Sequence, residues 1–188
     1  MATSTPGTRE RLQQCALALF EARGYAATTV AAIAHEAGVS HMTFFRHFPS
    51  KDSVVVGDLF DPMIAAAIAN QPAHLPAFER AVRGLVAALD DEDARAEVRS
   101  SQFRRRIQLI TATPELRSAL WMSGQQTQQA VIEALTGTGA SAAPARIAAG
   151  ALMGAATAVL IDWGTQADAG DADEALRGGL LGLLGGAG

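Results

Sequence analysis

An all-α fold with about nine helices is the architecture this sequence predicts, and three observations predict it. The 188 residues are rich in alanine and poor in β-branched and aromatic types, with only 5% Phe, Trp and Tyr. Alanine is the strongest helix former, and strands prefer the residue types that are scarce here. The apolar positions recur at helical spacing: Leu12, Cys15, Ala16, Leu19 and Phe20 stand at i, i+3, i+4, i+7 and i+8. Finally, the helical stretches are punctuated by caps and glycines where helices should start and stop.

The elements follow in order. The first helix runs through "TRERLQQCALALFEARG", with Gly24 as its terminating residue. In "ATTVAAIAHEAG" Thr29 is a suitable N-cap, Val30, Ile33, Ala34 and Ala37 form an inner face, and Gly38 closes the helix. "GVS" has room only for a tight turn. Ser40 then caps a third helix over His41–Phe48, which Pro49 limits. Phe44 and Phe48 are i, i+4 partners facing the core, so His41, Thr43, Phe45, Arg46 and His47 must face elsewhere. Two short helices joined by a short glycine-containing turn are the helix-turn-helix signature. Ser50 is a candidate cap for a long helix reaching about Asn70. Beyond it come helices over 76–89, 94–110, 114–135, 144–166 and 174–184, with an acidic turn at "DDED" and a joint at "TGTGASAAP". Residues 1–52 are expected to be a separate head and 53–188 a larger body.

Composition narrows the function classes. Hydrophobic residues make up 49% and charged residues 18%, which suits a folded chain. Cys15 is the single cysteine, so an intramolecular disulfide and a thiolate cluster are excluded and a reducing cytoplasm is expected. Its place on the apolar stripe reads as a small buried hydrophobe. The apolar stretch Ile147–Ile161 is shorter than a bilayer span and reads as a buried helix, so no membrane association is expected. Net charge is −4, yet residues 1–52 carry five basic against four acidic side chains while the remainder is −5. The N-terminal part is therefore the less repulsive toward a polyanion. His35-Glu36 lacks the second histidine of a zincin, which would fall at Val39, and Asp168–Glu174 lacks the spacing of an EF-hand. No phosphate loop, dinucleotide fingerprint or nucleophile elbow occurs, so no cofactor, no metal and no enzymatic activity are expected.

The run "TTVAAIAHEAGVSHMTFFRHFPSKDSV" resembles the TetR family of bacterial transcriptional regulators. The likeness rests on the Thr-Thr-Val opening, the Ile-Ala pair, Ala-Gly-Val-Ser at the turn, and Thr-x-x-x-x-Phe-x-x-Lys. It covers about residues 8–60. What the resemblance implies is a homodimer whose subunits pair a DNA-binding head with a ligand-sensing, dimerising body. It would be a repressor released from a palindromic operator by a small-molecule effector. Carried onto this sequence, Thr29 and Ser40 would cap helices whose N-termini face phosphates. His41, Met42 and Thr43 would open the recognition helix, Arg46 and His47 would lie on its outer face, and Lys51 would hold a phosphate. Phe45 stands where the family usually has tyrosine, so only ring packing on the duplex backbone survives there. In the body, Phe60, Met63, Phe78, Phe103, Trp121, Met122 and Gln125 are candidate ligand-lining residues. The last two helices, with small residues at Gly150 and Gly154, are the expected dimer face. The alternative reading is a small-molecule-binding or interaction protein whose head is degenerate for DNA, motivated by Phe45 and the negative total charge. "FRRRIQLI" reads either as a solvated basic face or as an entrance for an anionic effector.

Overall fold

In the computed structural model, residues 7–57, 63–166 and 168–185 are described, and they form eleven helices with no strand among them. The head comprises α1 (Thr8–Arg23), α2 (Val30–Glu36) and α3 (His41–His47), followed by the single turn α4 (Ser53–Val56). The body holds α5 (Met63–Ala69), α6 (Ala77–Ala88), α7 (Glu92–Val98), α8 (Ser101–Ala112), α9 (Pro114–Gly137), α10 (Ala142–Thr165) and α11 (Ala172–Gly185). The α1 helix packs on α2, α4 and α8, and α10 packs on α6, α8, α9 and α11.

The apolar stripe of α1 is buried at Leu12, Ala16, Leu19 and Phe20, with Cys15 half-buried beside them. Leu17, off that stripe, is also fully buried, because α1 is covered from more than one side. Helix α10 is long and apolar enough to cross a membrane. Its Ala145, Ala148, Ala149, Leu152, Ala156 and Leu160 are nevertheless buried against the helices around it. Small residues let backbones meet in the body. A Cβ on Gly84 of α6 would lie 2.6 Å from Ile68 Cα, and one on Gly164 of α10 would lie 2.6 Å from Ile107 Cγ2 of α8.

Two expected helices are divided. The long helix from residue 53 ends at Gly57, whose ψ of 147° leaves the helical region. The buried Arg106 of α8 donates to the carbonyls of Val55 (2.8 Å) and Gly57, giving the orphaned end of α4 an outside partner. Ser50 does act at the start of α4, in a reciprocal pair. Its hydroxyl accepts from the Ser53 N–H, and the Ser53 hydroxyl accepts from the Ser50 N–H. The expected helix over 94–110 is broken at Arg99–Ser100, where the Ser100 hydroxyl accepts from the Phe103 N–H and restarts the chain as α8. The acidic turn belongs partly to α7, since Asp91 Oδ1 caps it by accepting from the Asp93 and Ala94 N–H groups.

Candidate nucleic-acid interface

The turn between α2 and α3 is fixed by its backbone. Gly38 takes φ +65°, its N–H donates to the His35 carbonyl (3.0 Å), and the Val39 N–H donates to the Ala34 carbonyl (2.9 Å). A left-handed residue at this position suits glycine. The chain then enters α3 through Ser40, whose hydroxyl accepts from the Thr43 N–H at 3.1 Å and lies 2.9 Å from the Thr43 hydroxyl. Thr29 does the same for α2, accepting from the Ala32 N–H at 3.1 Å.

Phe44 and Phe48 are both buried, with ring centroids 5.8 Å apart, and they anchor α3 from behind. The opposite flank is open. Met42 is 77% and Phe45 42% exposed, His41 and Arg46 are exposed, and Thr43 is half-buried. The His41 ring packs edge-on against Phe45 at 4.9 Å, so the two form one aromatic ledge. Arg46 is exposed and makes no hydrogen bond or ion pair among the described residues.

His47 and Lys51 sit differently from the rest. His47 is half-buried, and its carbonyl accepts from Arg9 Nη1 at 2.6 Å. The Lys51 ammonium donates to the carbonyls of Tyr25 (2.8 Å) and Thr28 (3.1 Å) and lies 4.0 Å from the centre of the Tyr25 ring. Two of its three protons are therefore engaged within the head, binding the start of α4 to the α1–α2 corner. Burial, with the negative charges of Asp52 and Glu115, pushes the Tyr25 phenol up to about 12, so it stays neutral.

Two arginines of α1 were not singled out from the sequence. Arg9 reaches the end of α3 and lies 4.3 Å over the Phe48 ring, while Arg11 Nε donates to the Ala37 carbonyl at the end of α2 (3.0 Å). Both bring positive charge to helix C-termini, where carbonyls lack partners. The only available signal was basic residues at the start of a helix that precedes two short ones.

In the body the candidate ligand residues do not converge. Met122 and Gln125 of α9 line a cleft of about 800 Å³ whose other wall includes Ser50, Asp52 and Ser53. Phe103 is buried against Trp163 (centroids 6.3 Å apart), and Phe78 is half-buried against the core. Trp121 is 64% exposed beside a smaller hollow with Leu120 and Gly124. Met63 is largely exposed, and Phe60 lies outside the described residues.

The three arginines of "FRRRIQLI" each have a partner within the chain. Arg104 donates to the Gly170 carbonyl and covers the Trp163 ring, Arg105 forms a bidentate pair with Glu21 (2.7 Å for both bonds), and Arg106 holds the end of α4. Among the described residues no cluster of three or more His, Cys, Asp or Glu could hold a metal ion.

Comparison with known proteins decides what this head belongs to. The family described as bacterial regulatory proteins, tetR family, matches residues 14–56, and the MftR C-terminal domain matches residues 72–187. The chain belongs to the TetR family. HTH-type transcriptional regulator TcmR of Streptomyces glaucescens is 35% identical over 114 residues, covering 58% of this chain and 50% of TcmR. MftR of Mycobacterium tuberculosis is 27% identical over 113 residues, covering 59% and 55%. The chain thus spans about half the length of these curated relatives. Among solved structures, the fatty acid degradation regulator FadR from Bacillus halodurans aligns over 98% of both chains with a TM-score of 0.57 and 19% identity. Native NalD, the secondary repressor of the MexAB-OprM multidrug efflux pump in Pseudomonas aeruginosa, aligns over 95% of both with a TM-score of 0.57 and 21% identity. These two likenesses show that the TetR-type fold extends through the body.

Proposed function

We propose that this TetR-family chain is a transcriptional repressor that binds a palindromic operator as a homodimer and releases it when a small molecule occupies the body. The observation that carries the reading is α3 itself, capped by Ser40, bolted down by Phe44 and Phe48, and presenting an unpaired Arg46 on an open flank. Arg46 is the residue for a guanine contact, since arginine matches the O6/N7 pair of acceptors in the major groove. His41, Met42 and Thr43 stand at the end of α3 that enters the groove, and Phe45 packs on the sugar-phosphate. The N-termini at Thr29 and Ser40 position phosphates. Lys51 has one proton left for a phosphate and His47 lies at the edge of the surface, so both contribute less than the flank of α3.

The unit that reads DNA is residues 1–52, and residues 53–188 sense and dimerise. The description of NalD as a repressor favours repression over activation. Dimerisation through α10 and α11 is supported by their outward faces. Ile147 is 72% exposed, Leu181 and Leu183 are also exposed, and a Cβ at Gly154, Gly178 or Gly182 would meet nothing within 4 Å in the same chain. Paired recognition helices would then sit about 34–36 Å apart, one turn of DNA. The cleft bordered by Met122 and Gln125 is the larger opening available to an effector.

The test is selection of DNA fragments by the purified protein, followed by anisotropy titration of the selected fragment at several salt concentrations. Arg46→Ala should weaken binding about 5- to 150-fold, as loss of a base contact of 1–3 kcal/mol implies, and wild-type affinity should fall steeply with salt. Failure to select any sequence would leave the other reading, a binding protein with a degenerate head. Phe45 and the inward-turned Lys51 are the observations in its favour.

A further inference from the structure

Helix α8 has two faces with different tasks. Phe103, Ile107 and Ile110 are buried in the body, Phe103 against Trp163 and Ile107 against Gly164 of α10. Beside this apolar stripe stand Gln102, Arg105 and the buried Arg106, at the i, i+3, i+4 spacing that places them side by side. All three reach the head or its exit. Gln102 Nε2 donates to Gln13 Oε1 at 2.6 Å, and Gln13 Nε2 passes the connection on to the Val54 carbonyl at 2.9 Å. Arg105 grips Glu21 near the end of α1 with two bonds. Arg106 holds the carbonyls of Val55 and Gly57 where α4 ends.

Apolar contacts are indifferent to direction, so greasy packing alone lets one unit rock on another. Hydrogen bonds with a planar guanidinium or amide fix angles as well as distances. We propose that Gln102, Arg105 and Arg106 are positioning residues that set the tilt of the DNA-reading head on the body. Operator affinity then depends on them although they act through α1 and α4 and not through a base. The inference rests on the operator-binding reading above. In a dimer built on α10, this tilt decides whether both recognition helices enter successive grooves, because the same α8 lies directly on α10.

The Glu21–Arg105 pair isolates the effect. Its side chains are 46% and 39% exposed, so breaking it should hardly change stability. Charge alone and positioning predict different signs. Glu21→Arg makes the protein more positive and would strengthen DNA binding if only charge mattered, whereas Arg105→Glu would weaken it. Positioning predicts that both single variants weaken binding to the selected operator, by about 2- to 30-fold given usual coupling strengths. The double variant Glu21→Arg/Arg105→Glu, which keeps the net charge and rebuilds the pair in reverse, should recover affinity. Thermal unfolding of all three should stay near wild type. Opposite signs for the two single variants, unchanged affinity in both, or no recovery in the double variant would each overturn the proposal. Wild-type protein that selects no operator would remove the DNA-binding reading and this inference with it.

Discussion

Replacing Gly84 with alanine should reverse the usual sign of a glycine-to-alanine change in a helix. Inside α6 the substitution gains about 1 kcal/mol of helix propensity. The new methyl carbon would, however, sit 2.3 Å from Ile68 Cγ1, 2.6 Å from Ile68 Cα and 2.8 Å from Ile68 N. The side-chain atom can rotate away, but the other two belong to the backbone of α5. Reaching 3.4 Å from Ile68 Cα, where ordinary contact begins, needs the helices to part by roughly 0.8 Å. Overpacking of this kind costs about 1–3 kcal/mol, and a backbone obstacle puts the cost near the top of that range. The net loss is about 2 kcal/mol, or roughly 4–8 °C in Tm for a chain of this size. Gly137→Ala is the control, since a Cβ there meets nothing within 4 Å, and it should raise stability by up to about 1 kcal/mol. Thermal and urea unfolding measure both. A Gly84→Ala protein as stable as wild type, or more so, would refute the close approach of α5 and α6.

Three more outcomes are expected. Ile147→Glu, placing a charge on the outward face of α10, should convert a dimer to a monomer in light scattering and weaken operator binding with it; an unchanged mass would move the dimer interface elsewhere. Ser40→Ala should cost about 1 kcal/mol, about 2–4 °C in Tm, and should also reduce operator affinity, because the first turn of α3 loses its cap. The third concerns Asp173. Burial pushes its carboxyl up, but the Arg99 hydrogen bonds and charge, with the backbone N–H groups of Asp173 and Glu174, outweigh this and hold it below its ordinary 3.8. A depressed carboxylate contributes stability that is complete above its unfolded value and lost as pH falls through the lower folded one. Asp173→Asn should therefore be less stable at neutral pH and should lose less stability on acidification below 3.8, read from urea midpoints; parallel pH profiles would show that the pair is not responsible.

The head was legible because its signals are local. Thr29 and Ser40 cap helices within three residues of themselves, Gly38 sets one backbone angle, and Phe44 and Phe48 meet one helical turn apart. The partition of α3 into a buried back and an open flank follows from that spacing. Lys51 was harder to read, because its partners are carbonyls of Tyr25 and Thr28, more than twenty residues away, and carbonyls leave no trace in a sequence. The same reason hid Arg9 and Arg11. In the body, the end of α4 at Gly57 and the break before Ser100 were missed because helical periodicity continues across both. At Gly57 the partner of the helix end is distant, Arg106 of α8. Before Ser100 the cap is local, the Ser100 hydroxyl accepting from the Phe103 N–H, and the continuing periodicity hid it.

By itself, then, the sequence determined the helical class, the helix-turn-helix and the family, since propensity, capping and i, i+4 spacing act over a few residues. Tertiary structure alone decided what the long polar side chains do. Arg104, Arg105 and Arg106 are three like neighbours in the chain, yet they serve a ring, a carboxylate and a helix end. On a helix successive residues point about 100° apart, so the partner of each is set by whatever packs in that direction.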